Sequence, residues 1–464
     1  MASADDRSAH TPATDTPLGS KPMTRRRFLE VAGLTGAAIG ASGGIGGLLS
    51  ACGSSSGGGG SSSGNTGRTI KIGIVSPVTG PLAAFGEADS YCVKRWTEAT
   101  KAGIKTADGV THPIQFIVRD SQSDSNRAAT VAGDLITNDG VDVMMVTSTS
   151  DTVVPVADQA EALGVPCVSS DSPWQPFYFG RGGTPTKPFK WTYHAFWGIE
   201  TNAGFQLDLW KKLKNNKVIG AMWPNDADGL ALSNAKTGQP AAWTPAGYKI
   251  IDGGRYPDGS ADFSTEIAKF KAANAEIASG VMIPPDFVNY WRQVHQQGYK
   301  PVFCTMSKAL LFPSELEAMG SIGYGLTAEV WWHPTFPFKS SLSGETCQQF
   351  ADAWTAATNK QWTQPLMHYI VFEIVADALK RTSSVDSKED IVKAIKATDL
   401  DTLAGHINFT AGGAGNPVPN VSTTPLAGGQ WVKGTKYPFD LLIVSNGVAP
   451  MAKIQAEVKP LKWS

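Results

Sequence analysis

The sequence predicts an α/β protein made of two doubly wound, Rossmann-like lobes. Short apolar runs typical of strands alternate along the chain with amphipathic stretches typical of helices. The strand-like runs are continuously apolar, which is the pattern of parallel sheets covered on both faces. The pattern occurs twice, with about five strands each time, and therefore indicates two doubly wound sheets.

The elements follow one another in alternating order. In the first half we predict strands at 70–76, 114–119, 141–147 and 166–169, with helices at 88–101, 126–138 and 151–163. In the second half we predict strands at 218–223, 248–252, 280–283, 302–305 and 326–331. The helices there are expected at 202–213, 262–273, 287–297, 345–357, 366–380 and 388–397.

The N-terminal segment has the pattern of an export signal. TRRRFLE at 24–30 is a twin-arginine pattern, and a weakly apolar stretch leads from it to Leu49-Ser50-Ala51-Cys52, a bacterial lipobox. Seven glycines between Gly33 and Gly47 argue against a transmembrane helix, since glycine weakens both helicity and transfer into lipid. We therefore predict that residues 1–51 are a cleaved signal peptide, that Cys52 is lipidated and that 52–67 is a Gly/Ser tether.

Composition narrows the possible functions. The chain has 464 residues, a formal net charge of −1 and no long basic run, so nucleic acid is not an expected partner. The motifs of zinc proteases, P-loop enzymes and dinucleotide-binding enzymes are missing. Asn225–Gly229 partly matches a calcium loop, but its first and twelfth ligand positions do not hold acids. We expect no enzyme activity, no cofactor and no metal.

Four further cysteines lie at wide spacings without a metal-binding pattern. We expect these residues to be buried as small hydrophobic side chains, while disulfide formation is left open: Cys92, Cys167, Cys304 and Cys347.

The turns after the predicted strands are the expected ligand site, because doubly wound sheets bind ligands beyond the carboxyl ends of their strands. Ser150 opens a helix whose positive end suits an anion, although an ordinary helix cap is the alternative. Polar and aromatic residues cluster in other such turns: Asp171, Ser172, Trp174, Trp223, Asp226, Trp331 and Trp332. For most of the tryptophans, including Trp197, packing in the core is the alternative interpretation.

The chain resembles the Leu/Ile/Val-binding-like family, the type I periplasmic binding proteins of branched-chain amino-acid and amide importers. IKIGIVSPVTGPLAAFG at 70–86 carries the resemblance, together with LITNDGVDV, DFSTEIAKFKAANAEI and WRQVHQQGYK further on. The resemblance implies two lobes joined by three crossings that close over a ligand. It places lobe 1 at 68–194 and 333–430, and lobe 2 at 195–332 and 431–464.

The resemblance also implies site residues. Phe85 takes the aromatic position over the ligand, Ser150 holds a ligand carboxylate, and Asp171 and Ser172 take strand-end positions. The acid that pairs with a ligand ammonium in this family falls on Ser307, and the expected tyrosine falls near Ile283. A replacement acid must come from elsewhere in the chain, and the candidates are Asp171, Asp226, Asp228 and Glu329.

By this resemblance, the expected function is capture of a small molecule by a monomeric, lipid-anchored protein outside the cytoplasm. The partners would be the permease and ATPase of an ABC importer. The alternatives are a sensory protein that presents ligand to a membrane receptor and, with less support, a secreted enzyme. Because Ser307 cannot neutralise a buried ammonium, we expect a small carboxylate or amide with an apolar or aromatic body rather than leucine, isoleucine or valine.

Overall fold

The computed structural model describes residues 65–463, so the predicted signal peptide, Cys52 and most of the tether lie outside the described residues. In the first half, strands are Ile70–Ser76 (β1), Ile104–Lys105 (β2), Thr111–His112 (β3), Ile114–Asp120 (β4), Val143–Val146 (β5), Cys167–Ser169 (β6) and Thr192–Ala195 (β7). Helices there are Asp89–Ala99 (α1), Ser125–Thr137 (α2), Ser150–Leu163 (α3) and Trp174–Tyr178 (α4).

The second group of elements follows the same alternation. Strands are Val218–Pro224 (β8), Lys249–Tyr256 (β9), Ile277–Val281 (β10), Phe303–Ser307 (β11) and Thr327–Val330 (β12). Helices are Ile199–Trp210 (α5), Ala227–Leu232 (α6), Gln239–Trp243 (α7), Ser264–Ala272 (α8), Pro284–Gln296 (α9) and Pro313–Met319 (α10).

The remaining chain contributes to both lobes. Its helices are Cys347–Thr358 (α11), Tyr369–Arg381 (α12) and Lys388–Lys396 (α13). Its strands are Asp399–Thr402 (β13), Gly405–Asn408 (β14), Val421–Ser422 (β15), Ala427–Lys433 (β16) and Phe439–Ser445 (β17). Short 3₁₀ segments lie at Gly320–Gly323, Gln364–His368 and Gly413–Gly415.

Two sheets form the frame of the molecule. The first has six parallel strands in the order β15-β7-β6-β5-β1-β4, and the second has seven in the order β17-β16-β12-β11-β10-β8-β9. β16 and β17 pair antiparallel at one edge of an otherwise parallel second sheet. The chain passes between the sheets after β7, after β12 and after β15, which confirms the predicted α/β class and the three crossings.

The third crossing differs in position from the sequence expectation. β16 begins at Ala427 and pairs with β12, so the chain is already in the second sheet before residue 430. We retain the division into two lobes as a proposal, with this crossing placed between Ser422 and Ala427.

The core explains why both sheets have helices on either side. Along β5, Val143 and Met145 belong to one buried cluster, whereas Met144 and Val146 belong to another. A strand whose two faces are both apolar must be covered on both sides. The four cysteines of the described chain are buried and free, as small core side chains.

Candidate ligand-binding cavity

A cavity lies at the carboxyl ends of strands from both sheets. From the first sheet, Thr149 follows β5, Asp171 follows β6 and Trp197 follows β7. From the second sheet, Ser307 ends β11 and Glu329 lies on β12. The cavity is therefore built at the edges where parallel sheets place their loops and helix N-termini.

Aromatic rings form much of the wall. Phe85 packs edge-on against Phe312, with ring centroids 4.9 Å apart. Phe196 packs against Trp331 at 5.0 Å and against Trp197 at 4.7 Å. These contacts give the cavity an apolar lining in which each of these rings packs against a neighbouring ring.

Asp171 brings a carboxyl group to the first-lobe side. Its backbone φ is 67°, in the left-handed region, and its Oδ2 is 2.9 Å from Nε2 of the buried His368. Nδ1 of the same imidazole is 2.7 Å from Oδ1 of Asp89. Burial alone disfavours the imidazolium, but these two carboxylates raise the pKa of His368 to about 9. Burial raises the pKa of Asp171, and the bond to His368 opposes that rise.

Glu329 is the acid on the second-lobe side, and its neighbours fix its position. Its carboxylate accepts hydrogen bonds from Asn202 Nδ2 at 2.7 Å and from the backbone N–H of Lys308 at 3.0 Å. Asn202 Nδ2 also donates to Ser307 Oγ at 3.0 Å, so the serine and the acid lie side by side. Burial raises the pKa of Glu329 to about 7, against the opposing effect of these hydrogen bonds.

Lys308 is the centre of a buried ion cluster between the lobes. Its Nζ lies 2.9 Å from Asp228 Oδ2, 3.0 Å from Asp226 Oδ2 and 3.6 Å from Asp151 Oδ2. Burial opposes the charge of the ammonium, but the three carboxylates outweigh it and raise the pKa of Lys308 well above its usual value. Burial also raises the pKa of Asp151, to about 6.

The same three aspartates are the group, among the described residues, whose spacing could hold a metal ion. The Lys308 ammonium contacts all three carboxylates and so already supplies the positive charge that a cation would bring.

Ser150, at the start of α3, is engaged by the protein itself. Its Oγ lies 2.6 Å from Ser172 Oγ and donates to Oδ1 of Asp228, which comes from α6 of the other lobe. Asp228 thus contacts Ser150 with one carboxylate oxygen and Lys308 with the other.

Several buried polar atoms beside the cavity have no hydrogen-bond partner among the described residues. They are the indole Nε1 atoms of Trp197 and Trp331 and the hydroxyls of Ser148 and Thr149. Trp197, Trp331 and Thr149 line the cavity directly. Such atoms are expected to find partners when a ligand or water fills the space.

The predicted site residues fall into three groups in the structure. Those that line the cavity are Phe85, Asp171, Trp197, Asp228, Ser307, Glu329 and Trp331. Those in the polar contacts just behind it are Ser150, Ser172 and Asp226. The other three donate their indole N–H elsewhere: Trp174 to Glu200, Trp223 to Gln239 and Trp332 to Leu403.

Sequence reasoning missed Lys308, His368, Asn202 and Phe196. Lys308 directly follows Ser307, which was a predicted site residue, so its place in the sequence could have identified it. No sequence signal pointed to His368, because its partners Asp89 and Asp171 lie far away in the chain.

Comparison with known proteins agrees with this architecture. A model of the periplasmic binding protein family matches residues 69–434. The chain belongs to the periplasmic binding protein family. The resemblance predicted from the sequence, to the type I proteins related to Leu/Ile/Val-binding proteins, is thereby confirmed.

Individual relatives are distant but align along most of their length. The Leu/Ile/Val-binding protein homolog 3 of Brucella melitensis is 23% identical over 362 residues, covering 74% of this chain and 88% of that protein. A leucine-binding protein of Thermotoga maritima matches with a TM-score of 0.67 at 19% identity, covering 82% of this chain and 99% of that one.

A solute-binding protein of Rhodopseudomonas palustris, solved with 3,4-dihydroxybenzoic acid, matches with a TM-score of 0.64 at 17% identity. That match covers 81% of this chain and 96% of the other. At these identities the structural matches establish the shared fold.

No helix in residues 65–463 is both long enough and apolar enough to cross a membrane.

Proposed function

We propose that this chain is an extracytoplasmic solute-binding lipoprotein that captures one small molecule for an ABC importer. The observation that carries the proposal is a cavity with apolar walls and a few polar groups, built from strand ends of both sheets. The names of the relatives, which are binding proteins for amino acids and other small solutes, support the same role.

Capture would proceed by closure of the two lobes over the ligand. Three contacts join groups from opposite lobes: Lys308 with Asp151, Asp228 with Ser150, and Phe312 with Phe85. These contacts require the lobes to be together, so an open state would lack them. The ligand would enter the open cleft and be enclosed when they form.

The ligand would be a small molecule with an apolar or aromatic body, other than leucine, isoleucine or valine. A thermal-shift screen over amino acids, aromatic acids, aliphatic acids and amides would identify its class, since a ligand at about 100 times its Kd stabilises the protein by about 2.7 kcal/mol. The largest shift with a branched-chain amino acid would contradict this choice of class.

Closure is tested with the best compound from that screen. Small-angle X-ray scattering should give a smaller radius of gyration at saturating ligand than without it. The variant Phe85→Ala, which shortens one wall of the cavity, serves as a weak-binding control. An unchanged radius of gyration for the wild-type protein at saturation would rule out capture by closure.

The anchor is a separate part of the proposal. Cys52→Ala should move the protein from the membrane fraction to the soluble fraction, because the thiol that receives the lipid is gone. Ser55→Ala in the tether keeps the lipobox and should leave the protein in the membrane fraction. Retention of Cys52→Ala in the membrane fraction, with unchanged detergent partitioning, would refute lipidation at this residue.

A further inference from the structure

The N-terminus of α3 is an anion position that the protein fills itself. Helix N-termini attract negative charge, and the Ser150 hydroxyl adds a donor there. The group found at this hydroxyl is the carboxylate of Asp228, which is 3% exposed. Its second oxygen is 2.9 Å from Lys308 Nζ, so the carboxylate is both hydrogen-bonded and charge-paired.

A ligand carboxylate would find no free cation in the cavity. Lys308 is the cationic side chain among the lining residues, and it already contacts three aspartates. The imidazole of His368 lies between Asp89 and Asp171. The other ionisable side chains of the lining are the acids Asp171, Asp228 and Glu329. A second carboxylate in this enclosed space would be repelled.

The unpartnered atoms of the wall disfavour a simple ammonium as well. The indole N–H groups of Trp197 and Trp331 are donors only, and the two side chains are 4% and 1% exposed. They need acceptor atoms from the ligand, and an ammonium group offers none. The carboxyl groups of Asp171 and Glu329 in the same wall can accept hydrogen bonds from a donor on the ligand.

A carboxamide meets both requirements without a charge. Its carbonyl oxygen accepts from an indole N–H, its NH₂ group donates to a carboxyl oxygen, and its apolar body packs on rings such as Phe85 and Phe196. We infer that Asp228 is a specificity-determining residue that occupies the anion position of the cavity, and that the ligand is therefore an uncharged carboxamide. The inference rests on the proposed function, because it concerns the ligand of the same cavity.

Matched probes test the inference by calorimetric titration: benzamide against benzoate and benzylamine, and isobutyramide against isobutyrate. Each set keeps the body constant and changes only the polar group. For the wild-type protein we expect the amide to bind at least about tenfold more tightly than the acid or the amine of its set, a difference of about 1.4 kcal/mol. Tighter wild-type binding of an acid or an amine would overturn the inference.

Asp228→Ala should vacate the anion position beside Ser150 and Lys308. We expect the affinity for the acids to rise at least about tenfold while the amides lose affinity or stay unchanged. Asp226→Asn is the matched control, since it removes a charge from the same Lys308 cluster but does not touch Ser150. An equal gain of acid binding in Asp226→Asn would show a general charge effect and would contradict the role given to Asp228.

Separate controls distinguish a variant that fails to fold from a failure of the proposed function. If Asp228→Ala melts without a cooperative transition, Asp228→Asn takes its place, because the amide keeps the shape and removes the charge. The wild-type comparison of amide and acid decides the ligand class in either case. Failure of every compound in the wider screen would contradict solute capture itself, whereas preferential binding of an acid would leave capture standing and refute only the amide and the role of Asp228.

Discussion

At the scale of single residues, His368 holds together parts of the first lobe that are distant in sequence. It lies between α11 and α12, late in the chain, yet its ring joins Asp89 of α1 to Asp171 at the cavity wall. Asp89 also accepts a hydrogen bond from Ser76 at the end of β1. The position of the cavity carboxyl group therefore depends on a proton carried by a buried imidazole.

The charge of His368 should make stability depend on pH. Its pKa is raised from 6.5 to about 9 in the folded protein, so the stabilisation is complete below about pH 6.5 and is lost as the pH rises through about 9. We expect the free energy of unfolding to fall by up to about 3 kcal/mol over that range from this residue. Urea denaturation at a series of pH values would measure it.

The variant His368→Gln isolates this contribution, because the amide can still bond to a carboxylate but does not titrate. It should be less stable than the wild type at about pH 6, and the difference should shrink towards about pH 9.5. A difference that stays constant across the series would show that the imidazole is uncharged in the folded protein.

At the scale of elements, β10 lies so close to β8 that one position accepts only glycine. Gly280 has a φ of 123°, and a Cβ atom there would lie 1.9 Å from the backbone oxygen of Met222. Gly254 in β9 also has a positive φ, 96°, but a Cβ atom there would meet nothing within 4 Å. The two glycines therefore separate the cost of backbone conformation from the cost of a steric clash.

Gly280→Ala should destabilise the protein by about 3 kcal/mol or more, since the clash with backbone adds to the conformational strain. Gly254→Ala should cost only about 1–2 kcal/mol, because the strain acts alone there. Chemical denaturation of both variants against the wild type provides the comparison. An equal loss of unfolding free energy in the two variants would mean that β8 and β10 move apart easily to make room for the Cβ atom.

The elements also show where sequence reasoning succeeds. β1 was predicted at 70–76 with its observed bounds, because its sequence IKIGIVS is rich in Ile and Val, which is typical of a buried strand. β7 was missed: its sequence TYHA is short and half polar, and its burial depends on β6 and β15 on either side. β16 was missed because Gly428 and Gly429 break its apolar run, although both lie in the ladder with β12.

The same limit applies to the candidate site. Strand-end positions such as Asp171 and Ser172 follow from a local pattern, so the sequence could point to them, whereas Ser307 came from the family resemblance. Contacts between distant segments, such as Lys308 with Asp151 or Asp228 with Ser150, depend on how two lobes meet, which no local pattern encodes. The sequence therefore could not predict that the Asp228 carboxylate contacts Ser150.

At the scale of the whole molecule, the buried cysteines report whether the two lobes unfold together. Cys167 lies in β6 of the first sheet and Cys304 in β11 of the second, and both are 0% exposed. Burial raises the pKa of Cys167 to about 12 and that of Cys304 well above its usual value, so neither thiol is reactive in the folded state.

We expect both thiols to react with an alkylating reagent only after unfolding, and at the same rate, if the crossings couple the lobes into one cooperative unit. Mass spectrometry of digested protein, sampled over time in a moderate urea concentration, would follow each cysteine. Faster modification of Cys304 than of Cys167 would show that the second lobe opens on its own.

Trp197 and Trp331 have a further consequence, which is optical. Indole emission is sensitive to hydrogen bonding and polarity, and these two rings face the cavity with N–H groups that have no partner among the described residues. The chain has 14 tryptophans, so their signal is a minor part of the total. A difference spectrum between free and liganded protein removes that background, and replacing both Trp197 and Trp331 by Phe should abolish most of the difference. The wall of the cavity then serves as an intrinsic, label-free reporter of occupancy.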